Sequence, residues 1–93
     1  MMLGTLQVEL LLPGSFSLKD KRFVLRSLKE KIRSGFNVSV AEVDYQEKWQ
    51  RSVLAFACVS AERKGIDSLF ERLMNALDAE TRVEVVDRRV EVW

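Results

Sequence analysis

Val53-Leu54-Ala55-Phe56-Ala57-Cys58-Val59 is the longest apolar run in the sequence. Its neighbours decide how the rest of the chain folds. Seven residues fall far short of the roughly 20 that cross a bilayer. A short run with both parities apolar reads as a strand buried on both sides, central in its sheet.

Working towards the N-terminus, Gln46-Glu47-Lys48-Trp49-Gln50 is a polar connection. Before it, Phe36-Asn37-Val38-Ser39-Val40 alternates as a strand does. The alternation slips at Ala41, since Val43 has the opposite parity to Val40, which predicts a bulge or an early strand end. Further back, Leu18, Val24, Leu25, Leu28 and Ile32 gather on one face at 100° per residue. They predict a helix over about 18–34. Ser17 is its cap, Asp20 lies in its first turn, and Gly35 is its C-terminal stop. Residues 3–12 alternate, with Leu6, Val8, Leu10 and Leu12 on one face, and end at the turn Pro13-Gly14-Ser15.

On the other side of the run, Ile66, Leu69, Phe70, Leu73, Met74 and Leu77 form the stripe of a second amphipathic helix over about 63–79. Val83, Val85, Val86, Val90 and Val92 form a last strand. Its parity shift predicts a kink near Asp87-Arg88. The order is β-α-β-β-α-β. Two strand–helix–strand units with right-handed crossovers in 93 residues give an α+β, ferredoxin-like βαββαβ sandwich. Both helices cover one face of a four-stranded antiparallel sheet of order 4-1-3-2. That order makes the third strand central, independently of its apolar run. No linker or repeat divides the chain, so residues 1–93 read as a single domain.

Composition removes several functions. Hydrophobic residues are 47% of the chain, which supports a core, and 15 basic against 14 acidic residues leave a net charge of +1. A polycation that holds nucleic acid by bulk charge is excluded. One cysteine excludes an internal disulfide, and zero histidines remove the usual general base and zinc ligand. The acidic pairs Glu42 with Asp44 and Glu84 with Asp87 have no His or Cys nearby and read as surface carboxylates. No metal and no cofactor is expected. The N-terminus lacks a basic start with an apolar stretch, and no segment is membrane-length, so the expected location is cytoplasmic.

The near-zero net charge hides an asymmetry. Residues 19–33 carry seven basic side chains (Lys19, Lys21, Arg22, Arg26, Lys29, Lys31 and Arg33) and two acidic ones. Residues 62–80 carry three basic and five acidic. Lys19, Arg22, Arg26, Lys29 and Arg33 are spaced by 3, 4, 3 and 4. On a helix they fall within about 80° of arc. Such a stripe suits a phosphate backbone, with the first-turn N–H groups available to an anion. A basic helix face is also commonly just a solvated face, but few acidic residues interleave here to pair with it. Lys19, Lys21, Arg22, Arg26, Lys29 and Arg33 are the candidate nucleic-acid contacts. Phe23 lies off the apolar stripe; it either packs against the chain's own loops or is exposed, and it is a candidate partner contact.

The sheet face away from the helices offers Thr5, Gln7, Glu9 and Leu11 from the first strand, with no aromatic. Base stacking of the RNA-recognition-motif kind is not expected there. The third strand must turn either Leu54, Phe56 and Cys58 or Val53, Ala55, Ala57 and Val59 outward. A second copy of the chain, through the sheet face or an edge strand, would cover either set. Trp49 or Trp93 would cover it within one chain. Trp49 and Phe56 join Phe23 as candidate partner contacts.

Two enzyme-related readings follow from the fold alone. A copper chaperone needs a Cys-x-x-Cys loop after the first strand, where this chain has Pro13-Gly14-Ser15-Phe16-Ser17. An acylphosphatase needs a glycine-rich phosphate cradle there, an arginine at the helix start and an asparagine on the second strand. Arg22 and Asn37 stand in suitable places, but Pro13 removes an N–H from the cradle.

Leu12-Pro13-Gly14-Ser15-Phe16-Ser17-Leu18-Lys19-Asp20-Lys21-Arg22 and Phe36-Asn37-Val38-Ser39-Val40-Ala41-Glu42-Val43-Asp44, followed by Trp49-Gln50-Arg51, resemble the YlxP-like (DUF503) family of small bacterial proteins. The resemblance covers essentially the whole chain. It implies a ferredoxin-like fold and a bacterial cytoplasmic protein with no established activity. Genes for members often stand beside those for translation initiation and ribosome maturation, which implies a role near RNA or the ribosome. The family supplies no catalytic residue to carry over. Taken together, the expectation is a non-enzymatic RNA- or ribosome-associated module. A homodimeric protein-interaction module is the alternative, and an acylphosphatase-like hydrolase the remote one.

Overall fold

The computed structural model describes residues 1–93. The elements are β1 (Met2–Leu11), α1 (Leu18–Gly35), β2 (Ser39–Asp44), β3 (Arg51–Ser60), α2 (Arg63–Asp78) and β4 (Glu84–Val92). The four strands form one antiparallel sheet in the order β2-β3-β1-β4. This is the ferredoxin-like βαββαβ arrangement expected, with β1 and β3 central. No helix is long and apolar enough to cross a membrane.

Leu6, Val8 and Leu10 of β1, with Leu12 just beyond it, face the helices and are buried, as the alternation requires. Leu54, Phe56 and Cys58 do the same from β3. They meet Leu25, Leu28 and Ile32 of α1 and Ile66, Phe70, Leu73, Met74 and Leu77 of α2 in one core. Gly4 lets β1 approach α2 closely. A Cβ there would stand 2.5 Å from the Ile66 Cγ2 atom.

Burial of the central strand is one-sided, contrary to the expectation from its apolar run. Val53, Ala55 and Ala57 are half-buried and Val59 is exposed, because both helices lie on the opposite face. The second strand also starts later than its alternation suggests. α1 extends to Gly35, and the Phe36 N–H donates to the Ile32 carbonyl at 2.8 Å as the helix ends. Phe36 and Val38 still pack on the core, from a link and not from a strand. α1 ends at Gly35, as expected, though without a left-handed turn, for no glycine has positive φ. The predicted bulges are present. β2 shifts register between Glu42 and Asp44, and β4 shifts opposite Glu9/Leu10, at Val86, one residue before the expected kink.

The capping of α1 follows the sequence closely. Ser17 Oγ accepts from the Asp20 N–H at 3.0 Å, and the Asp20 carboxylate accepts from the Phe16 N–H at 3.0 Å. The Asp20 N–H and the Lys21 N–H, which donates to the Ser17 carbonyl at 3.1 Å, are thus partnered within the chain. The Asp20 carboxylate itself stands at the first turn, the place expected for an anion, and opposes a second one there. Ser15 N–H donates to the Leu12 carbonyl at 3.1 Å. An acylphosphatase-like cradle at this loop thus has two of its N–H groups engaged within the chain, one of them by an anion.

The α2–β4 loop is tied to α1 by Arg82, which donates to Glu80 (2.8 and 3.0 Å) and to Ser27 Oγ (3.1 Å). The Arg82 hydrogen bond holds the Glu80 carboxyl down at about 2, with further help from the Arg82 N–H and the Lys31 charge and against the cost of burial. A folded-state value below the unfolded one stabilises the fold above the unfolded pKa, near 4.5, and that contribution is lost as pH falls towards 2. Wild type is expected to exceed Glu80→Gln in stability at pH 6 and to lose that margin between pH 4.5 and 2. Urea denaturation of both at several pH values reads this directly, and a margin independent of pH contradicts it.

Candidate nucleic-acid interface

α1 lies over the sheet with its buried stripe inward, and the cationic side chains run along the edge that faces β2. Arg22, Arg26, Lys29 and Arg33, with Glu30 and Glu42, line a cleft of about 200 Å³ between α1 and β2. Lys19 continues the row at the helix start. Lys19, Arg22, Arg26 and Arg33 are exposed and Lys29 is half-buried. No carboxylate oxygen lies within 4.0 Å of any of the five cations. Arg33 Nη2 donates to the Val40 carbonyl at 3.2 Å, which fastens the end of the row to the β2 edge. Of the two carboxylates in the cleft, Glu42 is already held by Lys21 and by the Ser52 hydroxyl.

Lys21 is not part of this row, and its place among the candidate nucleic-acid contacts is corrected. Its side chain is 1% exposed. The Nζ atom donates to the carbonyls of Tyr45 (2.7 Å), Gln46 (3.1 Å) and Arg51 (3.2 Å) and pairs with Glu42 Oε2 at 3.0 Å. One ammonium thus holds both ends of the β2–β3 hairpin against α1. At that hairpin Tyr45 has φ 59°, a left-handed value that costs a non-glycine residue about 1–2 kcal/mol. The Lys21 bond to its carbonyl and the Arg51 guanidinium 4.8 Å from its ring centre secure that turn.

The candidate partner contacts divide. Phe56 is 1% exposed inside the core and is corrected: its parity faces the helices, so it offers nothing to a partner. Phe23 is 70% exposed on α1, one turn from both Lys19 and Arg26. Trp49 is 55% exposed. It lines a separate open cavity of about 670 Å³ with Leu11, Pro13, Arg51 and Glu84. Trp93 stands beside Leu3 at the other end of the open face, and both are exposed, so neither tryptophan covers the whole of β3. The lone Cys58 is buried, and burial pushes its thiol up from the usual value.

Fold and surface together define a class: a small ferredoxin-like domain with an unpaired cationic row on its first helix. The chain belongs to the family described as "Protein of unknown function (DUF503)", which matches residues 3–90. It is 32% identical over 90 residues to the uncharacterized protein YlxP of Bacillus subtilis (strain 168), an alignment covering 97% of this chain and 98% of that protein.

Proposed function

We propose that the chain is a non-enzymatic RNA- or ribosome-associated module that holds a phosphate backbone along α1. The observation carrying this reading is the row Lys19, Arg22, Arg26, Lys29 and Arg33 with no carboxylate within 4.0 Å of any member. Helical cations that stabilise a fold are normally interleaved with acids one turn away. Here one acid, Glu30, stands a turn from Arg26 and Arg33, and it lies beyond 4.0 Å of both. Arg22 to Arg33 spans about 16 Å of helix axis, enough for several successive phosphates. The exposed Phe23 ring beside Lys19 and Arg26 adds a flat apolar surface on which an unpaired base stacks.

The test is binding to a structured RNA with single-stranded loops, across a salt series. Neutralising three or four phosphates gives a slope of log K against log salt of about −2 to −3 for single strands. Arg22→Glu/Arg26→Glu is expected to weaken binding at least about tenfold at low salt and to flatten the slope by more than about 1. Both side chains are exposed, so the fold should survive. Equal affinities for the two proteins, or no salt dependence, would overturn the proposal.

A further inference from the structure

The two edges of the sheet are not alike. β2 is six residues long and broken by a register shift at Val43, and Arg33 already occupies its Val40 carbonyl. Two copies meeting there would also bring their cationic rows together. β4 is nine residues long and has no proline or lysine; its own register shift falls at Val86, near its start, and leaves Asp87 to Val92 as a regular stretch, charged except for the exposed Val90 and for Val92. Nothing within the chain covers its outer side. A long uncovered edge is a template for another strand.

Its hydrogen-bonding phase is set by the last residue. Trp93 and Leu3 exchange both backbone bonds, at 2.8 and 2.9 Å. In an antiparallel ladder such pairs alternate. Glu91 with Thr5 and Arg89 with Gln7 are then the next bonded pairs in the β1–β4 register. It follows that Val92, Val90 and Arg88 turn their N–H and C=O groups outward to the free edge.

We infer that β4 pairs antiparallel with β4 of a second copy, about a two-fold axis at Val90, to make one eight-stranded sheet. The register follows from the charges. A two-fold normal to the sheet places one residue opposite itself. Centring on Asp87, Arg88, Arg89 or Glu91 opposes like charges, centring on Val86 falls on the bulge, where the ladder is broken, and centring on Val92 leaves almost no overlap. Centring on Val90 sets Val90 against the partner's Val90 and Arg88 against the partner's Val92, for about six new backbone hydrogen bonds. On the open face it sets Arg89 against the partner's Glu91, twice. On the helix face Arg88 lines a groove with Asp67, Glu71 and Asp78 of α2. An isologous contact of this kind closes at two copies.

Sedimentation equilibrium at micromolar concentration tests it, with a thermal melt to show each variant folded. Wild type is expected to be a dimer. Val90→Lys places two ammonium groups at the axis and is expected to give monomer. Glu91→Arg opposes arginines twice and should weaken the dimer at least about tenfold, whereas Arg89→Glu/Glu91→Arg, which swaps the pair, restores it. A monomeric wild type, a dimeric Val90→Lys, or a double swap no tighter than Glu91→Arg would each overturn the inference. RNA binding through α1 is on the opposite edge and is read separately, so loss of either property leaves the other measurable.

Discussion

Lys21→Met is expected to destabilise the fold by about 3 kcal/mol or more, the cost of removing one partner from a buried charged pair. Three carbonyls and the Glu42 carboxylate lose their shared donor at once. Methionine fills similar space but supplies no N–H, so the loss is one of hydrogen bonds and charge, not of volume. In a chain of this size the melting temperature should fall by roughly 12–24 °C. Total stabilities lie at about 5–15 kcal/mol, so the variant approaches the limit of folding. Arg22→Met, at the next position on the helix exterior, should change stability by less than about 0.5 kcal/mol. Adding Glu42→Gln to Lys21→Met should recover part of the loss, since the buried charge left behind is what is costly. Denaturant melts of the four proteins suffice. A Lys21→Met protein as stable as Arg22→Met would refute the anchoring role.

Phe56→Ala is expected to cost about 3–5 kcal/mol, the range for emptying a large aromatic from a packed core. Phe56 faces Leu6 across the β1–β3 ladder and Val40 across the β2–β3 ladder, and all three belong to the core. Neighbours on both sides are held by the sheet and can collapse only partly into the space. The urea midpoint should fall with an unchanged slope. Phe23→Ala removes a side chain of the same type from an exposed position, and its stability should stay within about 0.5 kcal/mol of wild type. Similar losses from both would contradict the burial assigned to each.

The contrast between these two phenylalanines shows how far the sequence could be read. The fold was legible because periodicity and topology agreed: the apolar run and the strand order both made β3 central. Which parity of that run turned inward was not legible. It depends on the register with β1 and on which face the crossovers cover, and neither is a local property. The β2 start was misplaced because Phe36 and Val38 are apolar for the sake of the core, while the Phe36 N–H closes α1 and the Val38 N–H turns back to the Phe36 carbonyl.

The site was partly legible. The 3-4-3-4 spacing of Lys19, Arg22, Arg26, Lys29 and Arg33 placed them along one edge, and four of them line one cleft. Lys21 was counted with them on its charge alone. Its spacing already carried the correction, since Leu18, Lys21, Leu25, Leu28 and Ile32 are also separated by 3, 4, 3 and 4. A lysine in the middle of an apolar stripe is either an error of assignment or a buried donor with partners from elsewhere in the chain. Those partners are carbonyls of a hairpin more than twenty residues away, which no local pattern announces.

Lys21 and Arg22 are consecutive, and α1 turns by 100° between them. The one clamped beneath the helix therefore sets the angle at which the other is displayed. A variant that kept every surface cation but lost the clamp would still seat α1 on Leu25, Leu28 and Ile32, with Arg33 tied to Val40. Only its first turns would slacken, and the near end of the row would lose its bearing on the hairpin alongside.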